Sequence, residues 1–140
     1  MKVQRCILLF FLMTCSYLSH ATDNARPQYQ SMTTLQGEWV LSPAGQQQGK
    51  ATQHKLVTPL IGTDKTAISF KLIGNGSTVQ ENLLPATKKE MVTMYHCDDM
   101  ECSQLKATHY CIKRNQPEML VDLSSTSTKI VYDCDMSTAL

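Results

Sequence analysis

Residues Ala67–Leu84, AISFKLIGNGSTVQENLL, decide how this chain folds. Ile68, Phe70 and Leu72 alternate with Ser69 and Lys71, so an extended segment here has one apolar and one polar face. Gly74-Asn75-Gly76 breaks the alternation with an Asn-Gly pair that tolerates positive φ in a hairpin turn. Thr78–Leu84 then reads as a second strand, and two strands joined by such a turn form an antiparallel hairpin.

The same pattern extends in both directions. Short apolar runs read as strands at Glu38–Leu41, His54–Thr58, Ala67–Ile73, Thr78–Leu84, Met91–His96, Leu105–Cys111, Met119–Leu123 and Lys129–Asp133. Val92, Met94 and His96 share one face of their strand, and Leu105, Ala107, His109 and Cys111 share one face of theirs. Pro43, Pro59, Pro85 and Pro117 fall at or beside strand ends, where a missing N–H is harmless. Gly45–Lys50 reads as a loop. Residues 22–34 are polar and aperiodic and read as a loose N-terminal arm. The expectation from these strands is one all-β domain over residues 35–140, with about eight short strands arranged as a sandwich or a barrel.

The chain has 140 residues, a formal net charge of +1 and 18% charged residues, with no run of five like charges. That balance argues against a nucleic-acid partner, which calls for a basic face. An apolar content of 42% excludes a disordered chain.

Residues 1–21 have the form of a signal peptide. Lys2 and Arg5 supply the positive start, Ile7–Met13 the short apolar core, and Ser19-His20-Ala21 a small-residue cleavage site. The apolar stretch is short for a membrane span, and no later segment qualifies as one. A periplasmic or secreted protein is expected. Lipid anchoring through Cys15 is a minor alternative, because Thr14 suits a lipoprotein cleavage site poorly. Loss of the leader leaves 11 basic and 12 acidic residues, with cysteines at 97, 102, 111 and 134.

Four cysteines in an exported chain favour disulfides. Three pairings are formally possible; in one of them Cys97 and Cys102, which flank the acidic turn Asp98–Glu101, staple a hairpin tip and Cys111 joins Cys134. A metal site drawing on His96 and His109 meets a geometric objection. Beyond the hairpin turn the two imidazoles are more than about 10 Å apart at 3.3 Å per residue. Met91, Met94, His96 and Met100 have donor types that hold copper(I), but Met91 faces away from Met94 in a regular strand. His109 and Cys111 at i, i+2 suggest a thiol–imidazole pair, and oxidation of Cys111 would silence it. No metal or other cofactor is expected. The buried-looking titratable groups are His96, His109 and Glu81.

The stretch Met91–Met119 carries Tyr95-His96, Asp98-Asp99, Thr108-His109-Tyr110-Cys111 and Asn115-Gln116-Pro117-Glu118-Met119. Together with Gly37-x-Trp39 and Gly76-Ser77-x-Val79-x-Glu81, it resembles a family of small exported bacterial proteins. Their barrel is lipocalin-like, or similar to that of fatty-acid-binding proteins, and the resemblance implies for this chain an antiparallel up-and-down barrel of about eight strands. The resemblance spans Gly37–Met119. The hairpin here is longer than the family's and adds Cys97 and Cys102. The family pattern also continues with further strands past Leu140, which implies a barrel incompletely closed at one seam.

The resemblance implies non-enzymatic binding of a small apolar ligand in the barrel. Trp39, Phe70, Met94, His96, His109 and Tyr110 are candidate lining residues, with Asn115 and Gln116 at the rim. Tyr110 has the opposite parity to His109, so at most one of them faces inward. A second reading is a disulfide-stapled interaction module that pairs, for instance as a homodimer, through an open sheet edge. A third centres metal or enzyme chemistry on His96, His109 and Cys111.

Overall fold

Seven strands form one antiparallel sheet in the computed structural model, which describes residues 24–43, 55–122, 124–126, 128–135 and 137. The elements are α1 (Arg26–Thr33), β1 (Gly37–Val40), β2 (Thr66–Ile73), β3 (Thr78–Leu83), β4 (Met91–Cys97), β5 (Leu105–Tyr110), β6 (Glu118–Val121) and β7 (Tyr132–Cys134). Each strand pairs with the next in sequence, giving the order β1 to β7. The sheet is not closed: among the described residues β1 and β7 are its edges. The molecule is therefore mostly β with one helix. The leader and loop readings at 1–21 and 45–50, with His54 and Leu123, lie outside the described residues.

The β2–β3 hairpin follows its sequence closely. Ile73 pairs with Thr78, and Gly74, Asn75 and Gly76 all take positive φ (57°, 54° and 89°). A β-carbon on Gly74 would sit 2.5 Å from the Ser77 hydroxyl, so a larger residue there would have to displace that hydroxyl and also hold a left-handed φ.

Three expectations give way. Residues 55–57 form a turn that leads into a single 3-10 turn at Thr58–Leu60, so the strand expected at His54–Thr58 is absent over its described part. The last strand starts at Tyr132 instead of Lys129, because the residues before it bond within their own loop. Thr126 N–H donates to the Lys129 carbonyl (2.9 Å), and Val131 N–H to the Ser125 hydroxyl (2.8 Å).

The third is the arm, much of which is helical. Ala25, Gln28, Tyr29 and Met32 recur at i, i+3, i+4 and i+7, and Ala25, Gln28 and Met32 are buried. Pro27 sits in the first turn, where its missing N–H costs nothing.

Chain direction puts the 74–77 turn, the 98–104 hairpin tip and the described part of the β6–β7 connection, with Ser125, at one end of the sheet. The helix is tied to all three. Ala25 N–H donates to the Cys102 carbonyl (2.8 Å), Tyr29 Oη–H to the Gly76 carbonyl (2.7 Å) and Gln28 Nε2–H to the Ser125 carbonyl (2.8 Å). The Arg26 guanidinium adds a bond to the Met100 carbonyl. The core forms where α1 meets the sheet, around Ala25, Met32, Val79, Cys102, Leu105 and Val121. Fully buried Leu105 and Val79 are each worth about 1.5–3 kcal/mol in this setting.

Candidate functional site

Strand register decides which side chains face the helix. Phe70, Glu81, Thr93 and His109 are successive cross-strand partners on β2, β3, β4 and β5, so they form one row on one face. The neighbouring row runs Leu72, Val79, Tyr95, Ala107, Met119 and Cys134. Val79 and Ala107 are buried, which marks this as the covered face.

Between α1 and this face lies a hollow of about 320 Å³, near the lower end of the range for small-molecule sites. Met32, Leu35, Phe70 and Ile130 line it as apolar residues, and Glu81, Tyr95, Tyr132, Ser31 and Thr128 complete the lining, with Tyr132 Oη–H donating to Met32 Sδ at 3.1 Å. Tyr95 Oη–H donates to Glu81 Oε2 at 2.6 Å, a short charge-assisted bond. The Tyr95 and Tyr132 rings stand 5.5 Å apart at 47° and form a corner. Burial holds both phenols well above the ordinary tyrosine range, and the negative charge of Glu81 adds to the shift. Both tyrosines therefore stay neutral, and Tyr95 acts as a donor to the carboxylate.

Beyond Glu81 in the same row, Thr93 Oγ1 and His109 Nδ1 share a hydrogen bond of 2.9 Å. A wider depression of about 580 Å³ lies beside Asp64, Lys65 and Pro85. Exposed loop residues wall much of it, and it lacks the apolar enclosure that ligand sites use.

The structure brings some of the expected residues together and separates others. Phe70 lines the hollow, and His109 lies inward on the same face. Met94, His96 and Tyr110 lie on the opposite face, because register pairs their neighbours Thr93, Tyr95 and His109 with inward residues. His96 Nδ1–H donates to the Cys97 carbonyl (3.0 Å), and Tyr110 is 41% exposed. Trp39 has inward parity but sits on edge strand β1, 48% exposed, with Nε1–H donating to the Leu35 carbonyl (2.8 Å). Asn115 and Gln116 occupy the β5–β6 turn at the end away from α1. His96 and His109 are on opposite faces, so no single centre can use both together with Cys111.

Cys97 and Cys102 form the expected disulfide, with Cα atoms 4.7 Å apart. The second bridge is corrected: Cys111 and Cys134 are free thiols. Ala107, Met119 and Cys134 lie level across β5, β6 and β7, whereas Cys111 is four residues further along. At strand spacings this puts the two Cα atoms about 16 Å apart, and a disulfide requires less than about 7 Å.

Sequence reasoning missed Tyr95 and Tyr132 as site residues, along with the helix that roofs them. Glu81 stood out as titratable, and its shared parity with Val79 and Leu83 was the available signal for its direction. No protein-family model, curated protein or solved structure matches this chain.

Proposed function

We propose that the protein is an exported, non-enzymatic carrier that holds a small, largely apolar molecule between its helix and the covered face of its sheet. One observation carries this reading: a hollow of ligand size with apolar walls and a few convergent polar groups, Glu81, Tyr95 and Tyr132. A meander curled over such a hollow is also what supports a lipocalin-like reading of the sheet, with β1 and β7 left as edges. The Cys97–Cys102 disulfide fits an oxidising compartment, and among the described residues no helix is long and apolar enough to cross a membrane.

Mass spectrometry of the intact protein, under native and denaturing conditions, tests the carrier. The expected result is a monomer with a small organic adduct that denaturation releases. A second reading, pairing through an open edge, is favoured by β1, whose Trp39 and Val40 are 48% and 52% exposed. A dimer without adduct would replace the carrier by that reading.

A further inference from the structure

Glu81 places a half-buried carboxylate among uncharged neighbours. Its direct neighbours across β2 and β4 are Phe70 and Thr93, and its neighbours of the same parity on β3 are Val79 and Leu83. None of these carries a compensating charge. A charge partly withdrawn from water is a ready partner for an opposite charge brought into the same hollow. Tyr95 bonds Oε2, and among the described residues the ion pair is Lys106–Asp98, with none at Glu81. The two tyrosines stay protonated, so they line the hollow as neutral aromatic groups. A cation over such a ring is attracted by its quadrupole, and more strongly once water is removed.

We infer that the ligand of this hollow is an organic cation, an amine or quaternary ammonium group on a compact apolar body. Glu81 is its counter-charge, and the rings of Tyr95, Tyr132 and Phe70 are its walls. The inference rests on the carrier reading and narrows it. A volume of about 320 Å³ has room for roughly ten groups of the size of water, which suits a compact head and a short apolar body. Ligands headed by a carboxylate are disfavoured, because they would bring a second negative charge against Glu81.

Calorimetric titration of the full chain with three probes of similar shape tests this. The probes are benzyltrimethylammonium, its neutral isostere neopentylbenzene, and 3-phenylpropionate. The cation is expected to bind at least about tenfold more tightly than the isostere, and the carboxylate most weakly. Glu81→Gln is expected to abolish the preference for the cation while the isostere still binds. The isostere pair compares the unaltered protein with itself, so the test decides even where Glu81→Gln fails to fold. Equal or tighter binding of neopentylbenzene overturns the cation and leaves the carrier standing. Absence of binding by all three overturns the cation, and the carrier falls with it only if native mass spectrometry also finds no adduct.

Discussion

Tyr95 shows at the scale of one residue why the covered face was hard to read. Strand β4 has apolar or aromatic groups on both sides, Met91, Tyr95 and Cys97 on one and Val92 and Met94 on the other. Alternation alone could not say which side was inward, and the more apolar side, with Met94 and His96, turned out to face away from the helix. Partners settle the choice. Tyr95 is level with buried Val79 and Ala107, and its hydroxyl has Glu81 within reach. Over Ile68–Leu72 of β2, where apolar and polar residues alternate, the facing of Phe70 was legible without help. The bond to Glu81 sets the cost of losing the hydroxyl. Tyr95→Phe keeps the ring and leaves Glu81 Oε2 without its donor, and a hydrogen bond to a charged group is worth about 1.5–3 kcal/mol. The variant is expected to unfold at lower urea concentration by that amount. An unchanged midpoint would mean that water replaces the phenol at no cost.

At the scale of elements, the least legible piece is α1. Its buried stripe includes Gln28, a polar residue that counts against an amphipathic helix, and its N-cap residue Ala25 has no capping side chain, although Asn24 Oδ1 accepts from Arg26 N–H at 3.2 Å. Instead, tertiary bonds hold its start: the Cys102 carbonyl takes the Ala25 amide, and both residues are 0% exposed. The hairpin tip is built to present that carbonyl. Asp98 Oδ1 accepts from Gln104 N–H and Asp99 Oδ1 from Ser103 N–H, each at 3.0 Å, and Cys102 takes a φ of 56°. The disulfide holds this turn closed. The staple was therefore legible from cysteine spacing, but its use as a socket for the helix was not. For a separation of five residues, loop-closure entropy makes the bridge worth about 2 kcal/mol. A Cys97→Ser, Cys102→Ser double variant is expected to lose about that much stability. Its Ala25 amide should also exchange with solvent faster than in the parent protein. Unaltered protection at Ala25 would show that the tip keeps its shape without the bond.

At the scale of the whole molecule, seven of the eight expected strands are present in the expected order, because turn chemistry and alternation are local signals. Curvature is not local. Three strand spacings separate β4 from β7, about 14 Å on a flat sheet, yet the Tyr95 and Tyr132 rings lie 5.5 Å apart. The sheet must curl for these rings to meet, and the helix fills part of the concavity. This arrangement has a consequence at high pH. Tyr95 and Tyr132 have folded-state pKa values raised above the ordinary 10.0, chiefly by burial, and Tyr29 is raised in the same direction. Above that ordinary value the unfolded chain releases phenolic protons that the folded chain keeps, so stability falls as pH rises. The stabilisation is fully present below 10.0 and is lost as pH climbs through the folded-state values. With the unfolded tyrosines fully ionised, Tyr95 and Tyr132 together give a slope of at most about 2.7 kcal/mol per pH unit. Urea midpoints taken from about pH 9 to about pH 12 are therefore expected to drop steeply beyond the ordinary tyrosine value. The phenolate absorbance of these two residues should appear together with the loss of β-sheet circular dichroism. If both phenols ionise near 10.0 while the sheet signal persists, the rings are open to water and the curled face does not enclose them.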